Sequence, residues 1–191
     1  MENDIIVLGG KSACGKDTLA NYFREKGYNF VTSHTTRPLR ENESQGNPYY
    51  FISNTEMEEL IDTDQLIEYR VYKTLVDNKP ADWYYAVHKS EVQEDKKYIV
   101  VLDLWGLNEF KRYFGNRVKS FYLDVPESIR TKRAKSRGSF NEIEWNRRLK
   151  ADDLDFQYNK VVESVDYMLP NCDLYTVEEL YNEIQNILKG N

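Results

Sequence analysis

Gly10-Lys11-Ser12-Ala13-Cys14-Gly15-Lys16-Asp17-Thr18 is the stretch of this chain that says most about its fold. It nearly completes the phosphate-binding loop pattern of Gly, four residues, Gly-Lys and then Ser or Thr, with Asp17 standing where the hydroxyl is expected. In such a loop the glycines let backbone N–H groups point at phosphate oxygens, and the lysine adds a positive charge. An apolar run at residues 5–8 precedes the loop, and helical spacing of apolar residues begins at Leu19. This order of strand, loop and helix predicts a binding site for a nucleoside polyphosphate.

The size and composition of the chain limit the classes of protein to which it can belong. Its 191 residues suit one α/β domain, and a formal net charge of −6 argues against a general nucleic-acid-binding protein. Cys14 and Cys172 lie far apart without metal-ligand spacing, which predicts free thiols in a reducing compartment. The first residues lack a signal-peptide pattern, and the longest apolar run, residues 98–102, is too short to cross a membrane. We therefore expect a cytoplasmic protein that binds neither nucleic acid nor membranes.

Strand-like and helix-like segments alternate over much of the chain. Strands are predicted at residues 5–8, 30–32, 98–102, 120–123 and 167–169. Helices are predicted at residues 18–26, 107–114, 126–137, 141–162 and 177–188. This alternation indicates an α/β fold with a central parallel sheet covered by helices on both faces, the three-layer architecture of phosphate-loop proteins.

The segment from residue 37 to residue 92 departs from that alternation. It contains several Pro and Gly residues, short alternating runs such as Tyr49-Tyr50-Phe51-Ile52, and one clear helix at residues 55–61 with Asn54 as its cap. We interpret it as an inserted antiparallel subdomain.

A second motif lies at the start of that segment. It reads Ser33-His34-Thr35-Thr36-Arg37-Pro38-Leu39-Arg40 and is followed by Glu43, Gly46 and Tyr49-Tyr50-Phe51. Two guanidinium groups and a phenol suit a phosphate monoester dianion, because each guanidinium can donate two charge-assisted hydrogen bonds. Taken alone, the motif is equally compatible with an ordinary polar surface loop.

With this motif the chain closely resembles the guanylate kinases, which carry Ser-x-Thr-Thr-Arg-x-x-Arg, then a Glu and a Gly, then Tyr-x-Phe. The resemblance extends over nearly the whole chain. It implies that the phosphate of an acceptor nucleoside monophosphate is held by Ser33, Arg37, Arg40 and Tyr49. It also implies that Glu68 reads the purine, since a carboxylate accepts the paired N1–H and N2–H donors of guanine.

The resemblance assigns further residues to the two nucleotides. Tyr85, in Tyr84-Tyr85-Ala86-Val87, belongs to the acceptor site, and Asp103 matches an aspartate close to both nucleotides and the metal. Asn171 matches an asparagine beside the adenine of the donor, although a simple turn residue explains it nearly as well.

Three arginines match the mobile lid of the family, which embraces the transferring phosphoryl group. Arg133 and Arg137 are four residues apart on one helix face, and Arg148 follows. With Lys16 they form the expected catalytic set, because phosphoryl transfer depends mainly on positioning and on neutralising charge. The other basic residues of the stretch are expected on a solvated surface, namely Arg130, Lys132, Lys135 and Arg147.

The implied organisation is a single guanylate kinase-like domain over residues 1–191. Its core comprises residues 1–33, 93–129 and 149–191, the acceptor-binding subdomain residues 34–92, and the lid residues 130–148.

Three positions depart from the family pattern. Val87 stands where a Ser or Thr hydroxyl normally meets the guanine carbonyl, and a lost donor costs about 1–3 kcal/mol. Residues 73–82 contain an insertion that we expect to remodel the pocket wall. Asp17 replaces the hydroxyl of the phosphate loop, so that Mg²⁺ is held by Asp17 through a water molecule or by Thr18 instead.

The sequence therefore predicts a kinase that binds ATP through the phosphate loop and, with Mg²⁺, phosphorylates GMP or dGMP. Val87 keeps open a kinase for another or broader set of nucleoside monophosphates. A non-catalytic guanylate kinase-like binding module is the alternative from another class, and the presence of Gly10, Gly15, Lys16 and the three lid arginines argues against it. We expect a monomer or a homodimer.

Overall fold

The computed structural model describes residues 4–40, 43–76, 79–136 and 140–190. The chain forms two compact units, Met1–Phe30 with Lys97–Asn191, and Val31–Lys96. We call them the core unit and the inserted unit. Among the described residues, no helix has the length and apolar character that crossing a membrane requires.

The core unit contains the predicted parallel sheet. With strands numbered along the whole chain, its members are β1 (Ile5–Gly9), β2 (Asn29–Phe30), β7 (Tyr98–Val101), β8 (Val118–Leu123) and β9 (Tyr167–Leu169). Their order is β2-β7-β1-β8-β9, and every pairing is parallel. All five residues of β1 are buried, as expected for a central strand covered on both faces.

Six helices accompany this sheet in the described part of the core unit. They are α1 (Lys16–Glu25), α3 (Leu104–Phe114), α4 (Glu127–Lys135), α5 (Glu142–Asp155), α6 (Tyr158–Ser164) and α7 (Val177–Lys189). The α1 helix buries Phe23 in the same apolar cluster as Ile184 of α7. A capping box between Thr176 and Glu179 begins α7. This apolar cluster anchors the helix that follows the phosphate loop.

Two helix predictions in the core unit are corrected by the structure. The single helix expected at residues 141–162 is broken into α5 and α6, because Phe156 leaves helical geometry and buries its ring against Tyr122. The helix expected from residue 107 begins at Leu104, because the side chain of Asp103 caps it by accepting the Gly106 N–H at 2.8 Å.

The inserted unit is built on a second, four-stranded sheet. Its elements are β3 (His34–Thr35), β4 (Tyr50–Phe51), α2 (Asn54–Asp62), β5 (Leu66–Val76) and β6 (Lys79–His88). The strand order is β4-β3-β6-β5, with β6 antiparallel to both neighbours. The pair β3 and β4 is parallel, so the prediction of a wholly antiparallel subdomain is wrong for that pair.

The structure corrects one local prediction in the inserted unit and locates the insertion. The cap of α2 is Ser53 rather than Asn54, because Glu56 lies three residues after Ser53 and completes a capping box. The insertion at residues 73–82 lies at the end of the β5–β6 hairpin, where Lys73 pairs with Asp82. At about 3.4 Å per residue, Lys73 lies roughly 17 Å along β5 from Glu68. The described residues of the insertion therefore lie farther along the hairpin than Glu68, with the pair Lys73 and Asp82 nearest to it. The remodelling of the pocket wall by this insertion stays a prediction.

Candidate functional site

The phosphate loop joins the carboxyl end of β1 to the start of α1. Gly10 has a φ of +149°, and a Cβ there would lie 2.7 Å from Cys14 Sγ and 3.0 Å from the Leu123 carbonyl oxygen. Gly15 has a φ of +109° and directly precedes α1. Both positions therefore require glycine. At Gly10 a side chain would clash and the backbone conformation is unfavourable for other residues, whereas at Gly15 the conformation alone is the reason.

The first turn of α1 supplies the donors of an anion-binding site. Gly15 is its N-cap and makes no side-chain capping hydrogen bond. The N–H groups of residues 15–18 precede the first intrahelical bond, from the Leu19 N–H to the Gly15 carbonyl. Together with the positive end of the helix dipole, these donors favour a phosphate group.

A cavity of about 180 Å³ lies against this turn. It is lined by Ser12, Ala13, Gly15, Lys16, Asp17, Thr18 and Arg148. The structure thus brings six predicted residues of the loop together with one predicted lid arginine. The oxygens of Asp17 and Thr18 in the lining are of the type that Mg²⁺ prefers, which fits a cation bound beside phosphate groups.

Lys16 keeps its ammonium group at the loop. Its Nζ donates to the Gly10 carbonyl oxygen at 2.7 Å and to the Lys11 carbonyl oxygen at 3.1 Å. The lysine therefore lies where the outer phosphates of a nucleotide in the loop would need a positive charge.

The predicted arginines differ in their surroundings. Arg133 Nη1 donates to the Cys14 carbonyl oxygen of the loop at 2.9 Å. Arg148 Nε donates to Glu144 at 2.9 Å, and Arg147 binds the same carboxylate through two nitrogens. Hydrogen bonds from Arg147, the larger effect, and from Arg148 lower the pKa of Glu144 to about 2, so Glu144 is anionic near neutrality. Arg137 lies outside the described residues.

Asp103 and Asn171 occupy the ends of core strands. Asp103 follows β7, the parallel neighbour of β1, so it lies at the same edge of the sheet as the phosphate loop. One of its oxygens already caps α3. Asn171 follows β9 with a φ of +53°, a left-handed turn conformation that asparagine tolerates.

In the inserted unit, two threonines hold the arginine motif against β6. The Thr35 hydroxyl donates to the Tyr84 carbonyl oxygen at 2.7 Å and accepts the Arg37 N–H at 3.1 Å. The Thr36 hydroxyl accepts the Tyr84 N–H at 3.0 Å. These bonds fix the backbone that leads into Arg37.

Arg37 itself is buried, with 3% exposed, among aromatic rings and a carboxylate. Its guanidinium carbon lies 5.6 Å from the Tyr49 ring centre and 5.4 Å from that of Phe51. Its Nη2 donates to Glu43 at 2.8 Å, which lowers the pKa of that carboxyl group, and Glu43 also accepts the Arg40 N–H at 3.0 Å. Glu43 thereby connects the two predicted phosphate-binding arginines.

Three other predicted acceptor residues, Ser33, Tyr49 and Tyr85, have contacts within the inserted unit. The rings of Tyr49 and Tyr85 are 5.4 Å apart. The Ser33 carbonyl oxygen accepts the Tyr50 N–H at 3.0 Å, which connects β3 to β4. Tyr49 and Tyr85 therefore lie beside the Arg37 guanidinium, whereas Arg40 is exposed.

Glu68 and Val87 are directly opposed across the β5–β6 ladder. Opposed residues of an antiparallel pair share a face, and Arg70 with Tyr85 is the next pair on that face. Glu68 is 8% exposed and Val87 fully buried. The carboxylate that is predicted to read the base and the residue that departs from the family pattern are therefore direct neighbours in the sheet.

Sequence reasoning missed two residues and misplaced a third. Asp152 and Glu43 bind predicted site residues, and neither was assigned to the site. Arg130, expected on a solvated surface, is only 3% exposed because it packs between the loop and α5. The spacing of four residues between Arg148 and Asp152 was the available signal, since it places both on one face of α5.

Comparisons with known proteins agree on one family. Residues 2–191 match the sequence profile of the family described as Guanylate kinase. The guanylate kinase of Porphyromonas gingivalis is 32% identical over 139 residues, which cover 69% of this chain and 69% of that protein. That of Helicobacter pylori is 31% identical over 196 aligned positions, covering 98% and 90%. The crystal structure of guanylate kinase from Anaplasma phagocytophilum shares the fold, with a TM-score of 0.66, 24% identity, and coverage of 99% of this chain and 86% of that one.

Proposed function

Because this chain belongs to the guanylate kinase family, we propose that it transfers the γ-phosphoryl group of ATP to GMP or dGMP, giving ADP and GDP or dGDP. The family consists of ATP-dependent nucleoside monophosphate kinases. The observation that carries the proposal is the cavity at the first turn of α1, where Lys16 and Arg148 accompany free helix N–H donors.

In the proposed reaction the donor residues act by position and charge. The N–H groups of the loop bind the ATP phosphates, and Lys16 follows the phosphoryl group as it moves. Arg133, Arg137 and Arg148 neutralise charge on its equatorial oxygens, while Asn171 contacts the adenine. The acceptor needs no general base, because its attacking oxygen belongs to an ionised phosphate.

Mg²⁺ is the cofactor proposed beside ATP, where it neutralises charge on the phosphate oxygens. Asp17, acting through water, and Thr18 are the residues that would hold it, and both contribute to the cavity lining. A carboxylate and a hydroxyl beside phosphate oxygens match the ligands that Mg²⁺ takes in kinases.

The acceptor phosphate is proposed to bind Ser33, Arg37, Arg40, Tyr49 and Tyr85. Glu43 supports this site by holding Arg37 through its side chain and Arg40 through its backbone. Glu68 is proposed to read the base, and Asp103 to lie near both nucleotides. The buried Val87 beside Glu68 favours, as a second candidate, a kinase with a wider choice of monophosphate.

The proposal also includes the subunit state, the cell compartment and the division of the chain into a lid and an acceptor-binding subdomain. We propose a cytoplasmic monomer or homodimer that binds no nucleic acid and no membrane. Residues 130–148 are proposed to form the lid, and residues 34–92 the acceptor-binding subdomain.

An assay of ADP release tests the proposed function. GMP, dGMP, AMP and dTMP are each supplied with ATP and Mg²⁺, and release of ADP is followed by a coupled reaction. We expect the highest kcat/KM with GMP or dGMP. Folded protein that releases no ADP with any of the four would show that the kinase proposal is wrong.

Replacing Val87 with serine is expected to tighten GMP binding. A hydroxyl beside Glu68 can donate to the guanine carbonyl oxygen, a hydrogen bond worth about 1 kcal/mol or somewhat more, or about fivefold or more in Kd. Titration calorimetry with GMP measures the change, and AMP, which lacks that oxygen, should gain nothing.

The matched control for this prediction is Val87→Ala, which shortens the side chain without adding a donor. If Val87→Ser and Val87→Ala bind GMP equally, the missing hydroxyl does not explain base choice in this pocket.

A further inference from the structure

A group of buried polar side chains beside the phosphate loop lies outside the predicted site. Asp152 on α5 accepts hydrogen bonds from the Ser12 backbone N–H at 2.8 Å and from the Ser12 hydroxyl at 3.1 Å. Arg130 on α4 lies 3.4 Å from the same carboxylate and donates to the Ser12 carbonyl oxygen at 3.3 Å. Both charged residues are buried. Two helices therefore hold both backbone polar groups of one loop residue.

This arrangement does more than fill the interior. Removing a guanidinium and a carboxylate from water is costly, and an apolar pair of similar volume is often equally stable. The shortest contacts of the Asp152 carboxylate are to Ser12, and Arg130 lies farther away. The carboxylate therefore makes its closest contacts with the loop, and its contact with the ionic partner Arg130 is longer.

The residue after Ser12 explains why the loop needs this support. Ala13 has a φ of +62°, in the left-handed region that is unfavourable for a residue with a Cβ. Such conformations persist where the surrounding structure over-determines them. By binding the N–H and C=O groups of Ser12, Asp152 and Arg130 fix the direction in which the chain enters Ala13.

Asp152 also connects the loop to another part of the phosphate site. Arg148, which lines the cavity, lies one helical turn earlier on the same face of α5. We propose that Asp152 is a positioning residue for phosphoryl transfer. Its hydrogen bonds to Ser12 fix the position of the phosphate loop relative to Arg148. This role rests on the proposed kinase function, since ATP is the ligand that both elements are proposed to bind.

Two double variants separate the hydrogen bonds to Ser12 from the neutralisation of Arg130. Both carry Arg130→Leu, and Asp152 becomes asparagine in one and alanine in the other. The asparagine still offers an oxygen to the Ser12 N–H, whereas alanine offers none. With saturating ATP and GMP, below the melting temperatures of both variants, we expect kcat of the alanine double variant to be about 10- to 100-fold lower than that of the asparagine double variant. Equal kcat values would overturn the proposal.

Asp153→Asn is the matched control for lost charge on α5. Asp153 forms an exposed ion pair with Lys11 at 2.6 Å, and exposed pairs contribute little. We expect its kcat to stay within about twofold of wild type. A loss as large as that of the alanine double variant would overturn the assignment, because any charge removed from α5 would then have the same effect.

Titration calorimetry with ADP keeps this test separate from the test of the kinase function. If the wild-type protein phosphorylates no monophosphate, the proposed function fails and ADP affinity decides the positioning role. Binding about tenfold weaker in the alanine than in the asparagine double variant then supports that role, and equal affinity contradicts it. A wild-type protein that does not bind ADP overturns both proposals.

Discussion

Replacing Lys16 with alanine is expected to lower kcat for phosphoryl transfer by about 10²–10³-fold, the usual cost of removing one charged stabiliser of a transition state. The structure places this ammonium group within 2.7 Å of a loop carbonyl oxygen, beside the cavity at the start of α1. Its charge is proposed to act on the outer phosphates throughout the transfer. The loss should therefore appear in kcat more than in the KM for GMP, as measured by coupled ADP release.

Lys26→Ala serves as the matched control for this variant. Lys26 lies at the other end of the same helix, and its Nζ is 5.0 Å from the Tyr22 ring centre. It is exposed and lies outside the site, so kcat should change by less than about twofold. Full turnover by a folded Lys16→Ala protein would contradict the mechanism assigned to the loop.

Replacing Glu68 with glutamine is expected to weaken GMP binding by about 10- to 100-fold, because each hydrogen bond to a charged group contributes about 1.5–3 kcal/mol. The carboxylate offers only acceptors to the N1–H and N2–H donors of guanine, whereas an amide replaces one acceptor with an opposing donor. Titration calorimetry with GMP measures this effect. AMP affinity should change much less, since adenine does not present that pair of donors.

Glu59→Gln is the matched control in the inserted unit. Glu59 lies on α2 with its side chain exposed, away from the β5–β6 face that carries Glu68. Its GMP affinity should equal that of the wild type. If Glu68→Gln and Glu59→Gln bind GMP equally well, Glu68 does not read the base.

The parts of the site that follow from sequence are local. The phosphate loop occupies nine consecutive residues between a buried strand and a helix, so its glycines, lysine and helix start could be identified together. The threonine and arginine motif is equally compact. Glu68 required the family resemblance, because a single glutamate in a strand carries no chemical pattern of its own.

Two of the errors arose where a residue distant in the chain decided the local structure. The α5 helix ends just before Phe156 because the ring of Phe156 is buried against Tyr122. Helical periodicity in the sequence does not indicate this contact. Arg130 lies in a stretch rich in basic residues, and such a stretch usually indicates a solvated surface. Its burial depends on Asp152 and on the Ser12 carbonyl oxygen, neither of which lies near it in the chain.

Short-range pattern was enough to identify the phosphate loop, the parallel sheet and the family, because strand and helix periodicity and glycine spacing act over a few residues. Only the tertiary structure shows which residues hold that loop in place. Ser12 is 140 residues from Asp152 and 118 residues from Arg130, and its hydrogen bonds to them exist only after α4 and α5 have packed against the phosphate loop. The same holds for Glu68 and Val87, which become neighbours through the register of β5 and β6. Such contacts depend on distances between atoms, which the order of residues along the chain does not specify.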